Sequence, residues 1–291
     1  MPNSTGIVGA FRYVLTDVVK LLIPKRARSA LREILYFPFD TMEVLLGKRD
    51  ELTPPKRKIY VGGGDFRKSG ERFLRYFIGY GGLTPEQRVL DVGSGIGRMA
   101  VALTGFLDKG GSYEGFDTVD FGVAWCKRRI SSRYANFSFR FVDIYNKAYN
   151  PEGKLKPSQY KFPYKDQEFD FVILTSVFTH MRSQDMQNYL SEVARVLKNG
   201  GRCLITFFLL NAESLELLRA GKADLNFVHE TENSLSVDSD TPEGGIAFYE
   251  DFVRELYEKN GLSIKAPIHY GSWCRRERVL DFQDIIIAVK T

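Results

Sequence analysis

Along residues 60–291, short apolar blocks alternate with stretches whose apolar residues fall three and four apart. The blocks at 87–92, 112–117, 137–143, 169–176 and 201–210 read as strands. The stretches to about 107, around 119–133 and across 183–198 read as helices. The chain then runs strand, helix, strand, strand, with the last two strands near 262–270 and 281–290. Strands that alternate with helices and stay apolar along their length predict an α/β fold, a parallel sheet covered on both faces. Such a sheet binds ligands at the carboxyl ends of its strands, beside the first one. Two stretches break the alternation: 144–168, with Tyr145, Tyr149, Tyr160, Phe162 and Tyr164, and the polar 211–247. Both follow strand ends, so both are expected to overhang the cleft.

Upstream of this pattern, residues 7–23 carry Ile7, Phe11, Val14, Leu15, Val18, Leu21 and Leu22 at helical spacing, and the basic run PKRAR follows. An amphipathic helix of this kind packs on its own domain, pairs with a second subunit, or lies on an anionic membrane surface. Homodimerisation and peripheral membrane contact through residues 1–50 are therefore both open at this stage. Residues 48–58, KRDELTPPKRK, are charged, contain a Pro-Pro pair and read as a linker. The expected organisation is an N-terminal helical extension over 1–58 and a main domain over 59–291, with insertions at about 144–168 and 211–247.

Charge sharpens this division. Residues 1–58 hold eleven Lys/Arg against six Asp/Glu, which accounts for the whole net charge of +5. The remainder is neutral overall, which argues against a nucleic-acid substrate, because such enzymes carry a basic surface beside the cleft. The three cysteines, Cys126, Cys203 and Cys274, are odd in number and far apart. No disulfide framework or zinc site is expected, and a reducing cytoplasm fits. The start of the chain lacks the order of a signal peptide, and no apolar run is long enough to span a bilayer. No tight His/Asp/Glu cluster suggests a metal.

The densest chemical signal is VLDVGSGIGR, residues 89–98, which places Gly93, Gly95 and Gly97 directly after the first strand. Bare backbone between a strand and a helix lets a ligand approach closely. The spacing Gly-x-Gly-x-Gly differs from the dinucleotide fingerprint, and Arg98 stands where that fingerprint wants glycine. Asp91 ends the strand, where a carboxylate would repel a pyrophosphate and suit a ligand with a positive amino group.

At these residues the sequence resembles the class I S-adenosylmethionine-dependent methyltransferases, over roughly 60–291. VLDVGSGIGR looks like their first motif, and the resemblance implies that Asp91, Gly93, Ser94, Gly95 and Gly97 hold the methionine end of S-adenosylmethionine. YEGFDTV ends the second strand with Asp117, implied to accept the ribose hydroxyls, with Thr118 beside it. FRFVDIYN ends the third with Asp143 and Ile144, implied to bond the adenine amino group and to pack on its ring. Ser176 and Val177, in FDFVILTSVFTHM, would line the pocket near the methyl group. YLSEVARVLKNGGRCLITFF resembles the helix, turn and fifth strand that follow. The implied fold is Rossmann-like: a doubly wound sheet of seven strands, the last antiparallel, with helices on both faces. Farther upstream, Gly62–Gly64 precede a helix that Asp65 would cap, and Phe66 is expected to cover the cofactor while Arg67 or Arg98 meets its carboxylate.

The implied reaction is methyl transfer to an oxygen or nitrogen of a small or medium-sized, partly apolar acceptor. The Asn/Asp-Pro-Pro-aromatic signature of many base-methylating relatives is absent, and SVFT stands in its place. A general base helps when the nucleophile carries a proton. His180, after the fourth strand, and His229, in the polar insertion beside Glu230, are the candidates; His269, near Tyr270 and Trp273, is a third. The alternatives are a noncatalytic cofactor-binding or scaffold protein and, against the glycine spacing, a nicotinamide-dependent oxidoreductase.

Overall fold

The computed structural model describes residues 25–47, 49–60 and 62–291. The helix expected over 7–23 lies outside the described residues. The chain divides into two compact units, residues 1–63 and 64–291, somewhat beyond the expected boundary at 58.

In the first unit, helix α1 (Lys25–Leu45) contains Pro38, which removes one helical hydrogen bond. The following segment, expected as a linker, instead binds back onto the helix. Asp40 is buried and accepts from Arg49 Nη1 at 3.1 Å and from the backbone N–H of Lys56 at 2.7 Å, while Lys56 Nζ pairs with Glu43. A buried carboxylate must be paired, and the basic residues of KRDELTPPKRK supply the partners.

The second unit is built on a seven-stranded sheet. In chain order its strands are β1 (Arg88–Val92), β2 (Ser112–Asp117), β3 (Phe137–Phe141), β4 (Phe169–Leu174), β5 (Leu197–Phe207), β10 (Leu262–Ile264) and β11 (Asp284–Lys290). They lie in the order β10-β11-β5-β4-β1-β2-β3, all parallel except β11, which runs antiparallel to both neighbours. The order reverses between β1 and β4, so the crevice for a ligand lies at the carboxyl end of β1.

Helices cover both faces. Helix α2 (Phe66–Gly79) is capped as expected, with the Asp65 side chain accepting from the Lys68 N–H at 2.9 Å. Its Phe77 ring packs against Phe171 of β4 at 5.9 Å. It also crosses the short helix α3 (Arg98–Leu103) at Gly70, where a Cβ would lie 2.6 Å from the Arg98 carbonyl. Helix α4 (Asp120–Cys126), extended by a π turn through Ser131, follows β2. Helix α5 (Ser183–Val196) sets Tyr189, Leu190 and Val193 into a core with Leu90, Val172, Leu174 and Ile205.

The polar insertion is not a loose lid. Residues 209–249 form a second, four-stranded sheet of β6 (Leu209–Leu210), β9 (Ile246–Tyr249), β8 (Ser234–Ser236) and β7 (His229–Thr231), in that spatial order. Helix α6 (Ala212–Arg219) belongs to it, and Phe208, Leu210, Phe227 and Trp273 form a core of its own. Asn233, at φ +59°, makes the tight turn between β7 and β8. Helix α7 (Glu250–Lys259) then leads to β10. Among the described residues, no helix is long and apolar enough to cross a membrane.

Candidate active site

The turn after β1 is shaped by three glycines in the left-handed region, Gly93 at φ +80°, Gly95 at +57° and Gly97 at +83°. Two also have no room for a side chain. A Cβ on Gly93 would stand 2.6 Å from Val177 Cγ2, and one on Gly97 would stand 2.8 Å from Cys126 Sγ. Val177, expected near the methyl group, thus packs on the glycine turn itself. Cys126 is a buried thiol that seats α4 against α3 rather than a reactive group.

Asp91 is fully buried at the end of β1. Its Oδ2 accepts from the Tyr113 hydroxyl at 2.6 Å, while its Oδ1 has no partner among the described residues. Burial pushes its carboxyl up to about 7, against the lowering effect of the Tyr113 bond. Ser94 Oγ is likewise buried without a partner. An unpaired acceptor and an unpaired hydroxyl beside a bare backbone turn fit the ammonium and carboxylate of an amino-acid ligand. Tyr113 was invisible to motif reading, yet its register was readable. It lies two residues from Gly115, the residue opposite Asp91, so its ring crosses the space that Gly115 leaves empty.

Asp117 stands at the end of β2 and braces the same turn. Its Oδ2 accepts from the Gly95 N–H at 2.7 Å and its Oδ1 from the Val119 N–H at 2.8 Å. The ribose contact expected of it falls at this same strand end, beside the turn that it braces. Thr118 Oγ1 donates to the Ile144 carbonyl at 2.6 Å, and Asn150 Nδ2 reaches Asp143 Oδ1 at 3.1 Å. Asn150 ties the aromatic segment back onto the ends of β2 and β3. Ile144 is buried in the main core. Phe66 is also buried, its ring beneath the Arg98 guanidinium at 5.6 Å. The cofactor-site residues expected from sequence within 91–118 therefore gather around one turn, with Val177 packed on it and Asp143 knotted to Thr118 through Asn150.

Beyond the glycine turn, Ser176 adopts φ +58° at the end of β4. Its N–H donates to Thr206 Oγ1 at 2.7 Å, and both hydroxyls donate to Gln283 Oε1, at 2.9 and 2.7 Å. Thr206 and Gln283 carry no motif; only the sheet order, which sets β11 beside β5, brings them to Ser176.

The candidate bases fall apart from one another. His180 Nδ1 donates to the Glu243 carbonyl at 2.8 Å, which leaves Nε2 to accept from the Tyr149 hydroxyl at 3.3 Å. Its backbone carbonyl accepts from Asn146 Nδ2 at 3.0 Å. Burial holds the imidazole below its ordinary value. His180 therefore joins the aromatic segment to the turn at 242–244. His229 is exposed on β7, the edge strand of the second sheet. His269 bridges to Ile285 and packs its ring 4.5 Å from Tyr80. Among the described residues, no cluster of His, Cys, Asp and Glu could hold a metal ion.

Comparison with known proteins agrees with this geometry. Residues 90–205 match the family model described as a methyltransferase domain. A curated relative, the sterol 24-C-methyltransferase of Schizosaccharomyces pombe, is 29% identical over 139 residues. The match covers 48% of this chain and only 32% of that enzyme. A solved protein from Pyrococcus horikoshii shares the fold at a TM-score of 0.54 and 17% identity, covering 80% of this chain and 95% of that one. An S-adenosylmethionine-dependent methyltransferase from Methanosarcina mazei does so at 0.51 and 22% identity, covering 73% and 96%. Residues 90–205 thus match a methyltransferase domain, and the fold around them is one that a solved S-adenosylmethionine-dependent methyltransferase shares.

Proposed function

We propose that the chain transfers the methyl group of S-adenosylmethionine to an oxygen or nitrogen of a small or medium-sized, partly apolar acceptor. The observation that carries this reading is the trio Ser176, Thr206 and Gln283 at the carboxyl ends of β4 and β5. Its groups are polar and uncharged, which suits a neutral acceptor head. Phe141, Tyr145 and Phe282, each roughly 40% exposed, supply apolar surface at strand ends. The similarity to a sterol methyltransferase supports the same character of acceptor.

The cofactor, when bound, supplies a methyl group already activated on a sulfonium. What remains for the protein is alignment. The glycine turn, Asp91, Ser94 and Asp117 would fix the cofactor, and Gln283 would orient the acceptor. His180 positions the aromatic segment, because both its ring nitrogens are engaged. The test is a panel of apolar alcohols and amines assayed for S-adenosylhomocysteine release. Gln283→Ala is expected to lower kcat/KM for a productive acceptor at least tenfold while leaving the Kd for S-adenosylhomocysteine unchanged. Tight cofactor binding with no turnover on any acceptor would favour the noncatalytic reading instead.

A further inference from the structure

Helix α1 is built inside out. Two of its acidic residues, Asp40 and Glu43, are taken up by Arg49, Lys56 and the backbone of the segment that follows. Its apolar residues face away: Ile34, Leu35, Phe37, Phe39, Met42 and Leu45 are each more than half exposed. At 3.6 residues per turn these six positions span an arc of about 200°. Among the described residues, no other element exposes apolar side chains in such a run. A face of this kind is an interaction site rather than a chance exposure.

Its breadth argues about the occupant. One partner helix, as in a coiled-coil seam, covers a much narrower stripe. A lipid interface surrounds a wide arc and accepts phenylalanine and leucine together. Charge points the same way. The first two turns of α1 contain Lys25, Arg26, Arg28 and Arg32, with no acidic residue before Glu33. A basic stretch of sequence directly before a broad apolar face matches an anionic bilayer surface. We infer that α1 is a membrane-docking helix that lies in the surface of an anionic lipid bilayer. This inference is independent of the acceptor proposed above.

The test uses the full chain and sedimentation with vesicles of phosphatidylcholine, with or without phosphatidylserine. Binding is expected to be at least tenfold tighter on the phosphatidylserine vesicles and to weaken at high salt. The double variant Leu35→Asp/Leu45→Asp is expected to abolish it, with circular dichroism and thermal unfolding unchanged, because both side chains are exposed. Arg26→Gln/Arg28→Gln/Arg32→Gln is expected to erase the preference for anionic lipid. No binding to either vesicle would overturn the inference, as would equal binding to both. So would a dimer in light scattering that the double variant dissociates without any vesicle binding, which would assign the face to a second copy.

Discussion

At the scale of single residues, Asp91 has the most direct consequence. Its carboxyl is pushed up to about 7 by burial, while an unfolded aspartate titrates near 3.9. A carboxyl with a raised folded value contributes stability that is fully present below about pH 4 and lost as pH rises through about 7. A ligand ammonium beside it favours the ionised form. Affinity for S-adenosylhomocysteine is therefore expected to rise between pH 5.5 and 8, with proton release that calorimetry in two buffers would detect. Asp91→Asn should flatten that dependence and weaken binding about tenfold, or ~1.4 kcal/mol. A flat wild-type profile would remove Asp91 from the cofactor contact. Gly93→Ala combines a left-handed backbone with a Cβ 2.6 Å from Val177. It is expected to cost about 1–3 kcal/mol in thermal unfolding. Adding Val177→Ala relieves the contact but not the backbone conformation, so only part of the loss should return.

At the scale of elements, His180 holds two separate pieces of chain together, Tyr149 on one side and the 242–244 turn on the other. His180→Ala should cost about 1–3 kcal/mol, because the Glu243 carbonyl loses its donor. Hydrogen exchange should speed up at 144–156 and 242–245 and leave β1 and β4 unchanged. Burial lowers the imidazole's folded value, so its contribution is present above pH 6.5 and lost as the solution is acidified below that. The wild type should accordingly lose stability on that limb more steeply than the variant. The main strands were legible because each is a continuous apolar block at a fixed place in an alternating order, and the glycine turn was legible because three glycines in five positions have few other uses. The second sheet was not. Its β6 has two residues and β7 and β8 three each, too short for any period to register. The segment after α1 misled in a different way: KRDELTPPKRK has the composition of a linker, and only the position of Asp40 in space turns its charges inward. The trio at Ser176 was half legible, since Thr206 and Gln283 are 77 residues apart and meet only through the sheet order.

At the scale of the second unit as a whole, a buried ion pair ties the two sheets together beside the apolar packing of Leu209, Ile246 and Phe248 in the main core. Asp284, fully buried at the start of β11, accepts from the backbone N–H groups of Leu209 and Gly271 at 2.6 Å each and from Trp273 Nε1 at 2.8 Å. Arg276, also buried, reaches Asp284 at 3.2 Å, Glu213 at 2.7 Å and Asn211 at 3.0 Å. One carboxylate thus holds the edge of the main sheet, and one guanidinium holds α6 and the entry to the second. Removing the cation would strand a buried negative charge, which typically costs about 3–5 kcal/mol. Arg276→Ala is expected to destabilise the chain by that order at pH 8. Burial already pushes Asp284 up to about 6, and loss of Arg276 would push it higher. A protonated Asp284 needs no cation, so the cost of the substitution should shrink at pH 5. Denaturant unfolding of wild type and Arg276→Ala at both pH values checks this: a penalty that is equal at pH 5 and pH 8 would mean that Arg276 acts through its packing on Tyr270 and Trp273 and not through the charge it shares with Asp284.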